Sequence, residues 1–311
     1  TVQGDLDLAP TNVRQNRSIG DLHVLLKNQS LQKLAALMSL DVPMDIRVSG
    51  NGILSVQPSN FRLDQIMLIG ENSDLGVQLT GNVSRLGSVD GPDLAFKFAA
   101  TSDTLAELLG QFKLEIPLHG SVRMAGILRG ANKDYRLSDL SASLDAQDLT
   151  LDGTGQFDLL QTGLEGQFEF TTESKSIKSL AGRLGTQLPI DATAIGRGMV
   201  TCLDGHCSVE VENVAINSPR LKISAAGQLD SLDEKPQLSL KFEGNTDDIA
   251  ALTKACGWQW PLPPNLGTNV TGWLDIDGND ARLSSLVGQI SGDGLSGRFT
   301  GSMIDLLNDP R

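Results

Sequence analysis

The sequence predicts a mainly β protein: an elongated antiparallel repeat array forming a curved sheet or groove, with one short α-helix in each of four repeats of about 72–74 residues. Three observations predict it. The interval from Gly52 to Gly81 recurs unchanged from Gly126 to Gly155, from Gly198 to Gly227 and from Gly272 to Gly301. Apolar columns keep step with it: Leu63, Leu137, Val209 and Leu283 lie inside the interval, and Leu34, Leu108, Leu180 and Leu252 lie ahead of it. The last segment of each copy alternates apolar and polar residues, which is strand periodicity. The boundaries read as a remnant of a preceding repeat at 1–17 and repeats at 18–90, 91–162, 163–235 and 236–311, in one continuous repeat domain. Length changes fall in connecting segments, as at Leu262-Pro263-Pro264, where loops absorb them.

The second repeat shows the elements in order. Leu94, Phe96 and Phe98 alternate with Ala95, Lys97 and Ala99 and predict a strand. Thr104 and Glu107 form a capping box, and Leu105, Leu108, Leu109 and Phe112 make one helical stripe ended by Gly110 and Pro117. The helix is too short to stand without packing that stripe. A strand through Val122, Met124 and Gly126 follows, then a turn at Gly130 to Asp134 and a return strand with Leu140, Ala142 and Leu144 on one face. Leu137 is out of phase with that face, which predicts a β-bulge near Ser138-Asp139. The last strand alternates Leu149, Leu151, Gly153, Gly155 and Phe157 against Thr150, Asp152, Thr154, Gln156 and Asp158. Acidic residues such as Asp139, Asp148 and Asp152 fall on outward faces or in turns, where solvation explains them. The helix stripe recurs as Leu31, Leu34 and Met38, as Ile177, Leu180 and Leu184, and as Ile249, Leu252 and Cys256.

About sixteen such strands carry an apolar face that must be covered, at roughly 25 cal/mol per Å². One short helix per four strands covers part of it, so a trough remains to be curled shut or filled by an apolar ligand. Residues facing that trough are Val77, Leu79 and Gly81 in the first repeat; Phe96, Phe98, Leu149, Leu151, Gly155 and Phe157 in the second; Phe168, Phe170, Ile223 and Gly227 in the third; and Leu240, Phe242, Phe299 and Gly301 in the fourth. The glycines there have two readings. Either they admit a close helix backbone or a coiled sheet, or they leave room for an alkyl chain.

Composition narrows the function classes. A net charge of −13 and a pI near 4.6 argue against a nucleic-acid partner. With 40% hydrophobic but only 4% aromatic residues, the apolar supply suits acyl chains or a plain core better than sugar stacking. No apolar run is long enough to span a bilayer, and Thr1-Val2-Gln3-Gly4-Asp5 lacks the basic start of a signal peptide; Gly4 reads as the last glycine of a truncated earlier copy and Gly301 to Asp305 stops where another copy would supply its next strand, so the chain reads as a piece of a longer protein. His23, His119 and His206 are scattered, and no nucleophile or metal motif is present, so no catalytic residue and no cofactor are expected. Trp258 and Trp260 are read as a plug after the fourth helix or as an interfacial contact. Cys202 and Cys207 flank Leu203-Asp204-Gly205-His206, a hairpin signal that sets them opposite each other. A cross-strand disulfide, a reduced pair and a Cys-His-Cys metal site remain as alternatives.

The runs Thr104-Leu105-Ala106-Glu107-Leu108-Leu109-Gly110, Ile116-Pro117-Leu118, Tyr135-Arg136-Leu137-Ser138-Asp139-Leu140 and Asp148 to Gly155 resemble the repeats of the AsmA family, and the fourth repeat echoes them at Ile249 to Leu252, Trp260-Pro261-Leu262 and Ala281 to Ser284. That family comprises envelope proteins of Gram-negative bacteria related in architecture to TamB-like and bridge-like lipid-transfer proteins. The resemblance implies a periplasmic segment of an inner-membrane-anchored protein that binds phospholipid in a β groove and supports its transport between the inner and outer membranes. The partners it implies are phospholipid, the inner membrane through a missing N-terminal anchor, and outer-membrane or other envelope proteins, with the chain itself a monomer. The family's membrane helix is not in this sequence, and the third repeat replaces the Tyr-Arg-Leu-Ser-Asp-Leu run with Cys207 to Glu212. The competing expectation is a non-catalytic scaffolding segment whose trough is closed by its own helices.

Overall fold

The computed structural model describes residues 20–37, 46–57, 60–72, 75–86, 88, 91–104, 119–131, 134–160, 163–183, 188, 190–230, 237–255, 262–263, 265–277, 280–292 and 294–304. Sixteen strands run in chain order: β1 (Gly20–Ser30), β2 (Arg47–Gln57), β3 (Asn60–Glu71), β4 (Gly76–Leu86), β5 (Asp93–Ser102), β6 (Gly120–Ala131), β7 (Asp134–Ala146), β8 (Leu149–Leu160), β9 (Gly163–Ser174), β10 (Thr193–Leu203), β11 (His206–Asn217), β12 (Lys222–Leu229), β13 (Gln237–Thr246), β14 (Gly267–Asp277), β15 (Asp280–Gly292) and β16 (Leu295–Met303). They form one open antiparallel meander in which each strand neighbours only those before and after it in sequence. Three helices are present among the described residues: α1 (Leu31–Leu37), α2 (Ile177–Arg183) and α3 (Ile249–Ala255). The helix expected over Leu105 to Phe112 lies outside the described residues, as do Met38, Leu184, Cys256, Trp258 and Trp260, so one helix per repeat is not established.

Each described helix starts the same way. Its first residue donates its backbone N–H to the residue ahead of the next strand: Leu31 to Ile46 at 2.8 Å, Ile177 to Ala192 at 2.9 Å and Ile249 to Leu266 at 2.8 Å. The residue before it caps the helix, with Ser30 Oγ accepting from Lys33 N, Ser176 Oγ from Ser179 N and Asp248 Oδ1 from Ala251 N at 2.9–3.1 Å. Side-chain caps and backbone lock together satisfy amides that a short helix leaves orphaned.

At α2 the cap extends to Asp191, whose Oδ1 accepts from Ser176 Oγ at 2.7 Å, Ala192 N at 3.0 Å and Lys178 N at 3.4 Å. The Ser176 hydroxyl, against the opposing effect of burial and with help from the two amides and the Lys178 charge, holds the Asp191 carboxyl below the usual carboxylate range. A depressed carboxylate pKa contributes stability above the unfolded value of about 3.9 and loses it as pH falls through the folded value. Asp191→Asn is therefore expected to be less stable than wild type at neutral pH, with the gap closing below about pH 4. Thermal melts of both proteins at neutral and acid pH check this, and a gap that persists in acid would show that the carboxylate charge is not what the cap uses.

The β-bulge expected near Ser138-Asp139 has its local signature. Asp139 takes a left-handed φ of 50°, and Gln65 and Ser285 at the equivalent positions take 51° and 52°. There the pairing of β3 with β4 slips between Leu63 and Ile66, and that of β15 with β16 between Leu283 and Leu286. Val211 holds this position in the third repeat, where the run of residue types differs, and the slip falls between Val211 and Val214. In the β10–β11 hairpin Leu203 pairs with His206 across Asp204 and Gly205, both at positive φ (52° and 81°), the geometry of a two-residue type I′ turn. Cys202 and Cys207 pair next to it and are joined by a disulfide with a Cα–Cα separation of 4.1 Å.

The chain divides into two compact units, Thr1–Asp145 with Thr154–Gly166, and Ala146–Gly153 with Gln167–Arg311. The first unit holds a buried apolar cluster of Leu31, Ile46, Val48, Ile66, Leu68, Leu75, Val83, Leu94, Phe96 and Tyr135. On its outer side Arg136 forks onto Asp158, with Nε to Oδ1 at 2.5 Å and Nη2 to Oδ2 at 2.7 Å. The second unit is packed differently. Among the described residues its buried apolar side chains are Ala146, Ala192, Cys202, Leu266 and Ala281, of which Leu266 is the one large one. Here α2 is tied down by polar groups: Arg183 Nη2 meets Asp148 Oδ2 at 3.1 Å and Gln147 Oε1 at 2.5 Å, and Ser179 Oγ donates to Asp148 Oδ2 at 2.6 Å.

Candidate functional site

The sequence places the apolar face on every second residue of each strand, and burial alternates accordingly. Along β12, Ile223, Ala225, Gly227 and Leu229 are half-buried while Lys222, Ser224, Ala226 and Gln228 are exposed. Along β9, Phe168 and Phe170 are half-buried between exposed Gln167, Glu169 and Thr171. What covers the face differs between the two units.

In the first unit the candidate groove residues belong to a packed interior. Phe96 is 6% exposed, and Val77 and Leu79 pack against the same cluster from β4. Side chains of the unit itself fill this part of the face. Phe98 is half-buried on β5, opposite Gly126 on β6, and its ring edge approaches the place of a Gly126 Cβ to 2.9 Å. Phe157 is half-buried on β8, where its Cα and the Gln156 carbonyl press on Gly166, and Gly155 is half-buried two residues before it.

In the second unit the corresponding residues are half-buried: Leu149 and Leu151 of β8, Phe168 and Phe170 of β9, Ile223 and Gly227 of β12, and Leu240 and Phe242 of β13. Exposure rises further on β16, where Phe299 is 38% and Leu295 48% accessible, and Gly301 is exposed.

Among the described residues the glycines of this face meet two kinds of neighbour, an aromatic ring and the backbone of the adjacent strand. Gly52, Gly126 and Gly272 stand opposite Val24, Phe98 and Phe242 in the strand pairing. The Phe98 and Phe242 rings lie over Gly126 and Gly272, as the Phe170 ring lies over Gly198, so the cross-strand partner fills the missing side chain. Gly81 and Gly227 are pressed by the adjacent strand's backbone. A Cβ on Gly81 would run into the Ala95 carbonyl and stand 2.8 Å from Phe96 Cα; on Gly227 it would run into the Ser239 carbonyl and stand 2.9 Å from Leu240 Cα. At these two positions the space beside the glycine is taken by strand backbone.

Polar chemistry is sparse. Among the described residues no group of three or more His, Cys, Asp or Glu side chains could hold a metal ion, and His206 sits in the turn beside the disulfide. Asp148 reads in the sequence as a solvated turn residue; the structure makes it the anchor of α2, a contact with Arg183 that no local pattern announces. No helix among the described residues is long and apolar enough to cross a membrane. No protein-family model, no curated protein and no solved structure matches this chain.

Proposed function

We propose that this chain is a non-enzymatic lipid-binding segment that holds phospholipid acyl chains against the apolar face of its second unit. The observation that carries the reading is the contrast in covering: Phe96 and its neighbours form a buried apolar cluster in the first unit, whereas Phe168, Phe170, Leu240 and Phe242 are half-buried in a unit where Leu266 is the one large buried apolar side chain among the described residues. Leaving those side chains partly in water is unfavourable, and an aliphatic ligand removes that cost without needing directional contacts. The finer architecture belongs to the same proposal. It takes the sheet as four repeats forming a groove, each with one helix, the second being that expected around Leu105 to Phe112. The resemblance of Thr104 to Gly155 to AsmA-family repeats supports placing the segment in the periplasm, in a protein held at the inner membrane and serving lipid transport to the outer membrane, and the Cys202–Cys207 disulfide is consistent with an oxidising compartment.

A scaffolding role is the second reading, and the filled core of the first unit is the observation that favours it. Lipid extraction and native mass spectrometry of protein purified from a Gram-negative host separate the two. Reproducible co-purifying phospholipid is the expected result. Well-folded protein that carries none would leave the scaffold as the better account.

A further inference from the structure

An antiparallel sheet packed on one face ordinarily carries polar residues at the outward positions of the other, where water solvates them. β3 departs from this in the middle of the first unit: Met67 and Ile69 alternate with buried Ile66 and Leu68 and are 40% and 51% exposed. The strand itself does not require them, since the equivalent outward positions hold Ser141 and Ser143 in the second repeat and Asn213 and Ala215 in the third. The buried cluster of the unit takes Ile66 and Leu68 from the opposite side of the same strand. β3 is paired on both edges, so the exposure of Met67 and Ile69 belongs to the face and not to an end of the sheet.

The charges beside them run against the composition of the chain. Met67 shares a row across β3–β6 with Thr80, Lys97 and Ile127. Ile69 stands in the next row, where Ala99 faces Ala125. Arg123 and Arg129 flank these rows on β6, opposite Thr101 and Ala95. Lys97, Arg123 and Arg129 are exposed and make no ion pair among the described residues. The four strands hold three carboxylates, of which Asp64 pairs with Arg62 and Asp93 with Arg85, leaving Glu71 at the end of β3. A chain of 38 acidic and 25 basic residues thus gathers free cations and exposed apolar side chains on one stretch of sheet. We propose that this outer face of β3–β6 docks on a lipid surface bearing anionic headgroups. The headgroups neutralise Lys97, Arg123 and Arg129, and Met67 and Ile69 enter the layer beneath them and leave water. An acidic polypeptide answers the three cations but gives no reason for Met67 and Ile69, two and three strands away. The docking face lies in the first unit and does not depend on acyl-chain binding by the second.

Flotation of the full chain with vesicles tests the proposal. Binding to an equimolar mixture of phosphatidylcholine and phosphatidylglycerol should exceed binding to phosphatidylcholine alone by about tenfold or more, and should fall as salt is raised. Lys97→Gln, Arg123→Gln and Arg129→Gln combined should weaken binding to the anionic vesicles by about a hundredfold with the melting temperature unchanged. Arg123→Lys with Arg129→Lys should keep it. Met67→Ser with Ile69→Ser, the residue type of the second repeat, should weaken it by about tenfold. Wild type that binds neutral vesicles as well as anionic ones, or binds neither, would overturn the proposal, as would a charge variant that binds normally or melts lower. Serine variants that bind like wild type would overturn it too, and retention of the chain on immobilised polyglutamate would then assign the face to an acidic protein.

Discussion

Phe96→Ala should destabilise the protein by about 3–5 kcal/mol, and Phe242→Ala by clearly less, on the order of 1–2 kcal/mol. The two aromatic side chains sit on corresponding strands, one in each unit, yet Phe96 is 6% exposed while Phe242 is half-buried. Removing the Phe96 ring opens a cavity among Val83, Leu94 and Leu68, whose positions are fixed by strand pairing and cannot collapse fully into it. Removing the Phe242 ring uncovers Gly272 but leaves a surface that water already reaches. Chemical denaturation of both variants measures the difference. Phe98 stands opposite Gly126 as Phe242 stands opposite Gly272 and is half-buried as well, so Phe98→Ala is the matched control for position. A Phe242→Ala loss as large as that of Phe96→Ala would take away the support for the lipid-binding proposal.

Gly227→Leu should cost about 2 kcal/mol or more, at or above the upper part of the range of about 1–3 kcal/mol for overpacking. The obstacle is the Ser239 carbonyl and Leu240 Cα, main-chain atoms held by the β12–β13 ladder, which give way less readily than a side chain. Gly81→Leu meets the same obstacle at Ala95 and Phe96. Gly155 occupies the same repeat column, so Gly155→Leu is expected to lose stability too, with outward-facing Thr154→Leu as the control that changes β-propensity alone. Melting temperatures of the three glycine variants that hold or rise would show the column to be an open path along the face.

The sequence made the strands legible because their signal is local. Alternation in Leu149 to Phe157 and in Ile223 to Leu229 needs no partner to be read, and the phase break at Leu137 points to the left-handed residue at Asp139. Ser30, Ser176 and Asp248 cap their helices, at positions equivalent to Thr104, whose expected helix lies outside the described residues. The rest depends on distances between segments. Why Gly81 is glycine is decided by the Ala95 and Phe96 backbone on another strand, and why Asp148 is aspartate by Arg183 at the end of a helix. Phe96 and Phe242 lie in the same apolar alternation, and only the three-dimensional neighbours make one a core residue and the other a half-open surface.

The strictly sequential strand order bears on how the chain acquires its structure. Because every strand hydrogen-bonds only to its immediate neighbours in sequence, the sheet needs no closure of a long loop between distant segments. Contact order stays low for a protein made almost entirely of strands, which favours rapid formation despite the β architecture. Each strand finds its partner in the next strand of the chain, so the sheet can be laid down strand by strand during synthesis. At every stage of that growth the newest strand is the edge on which the next one pairs.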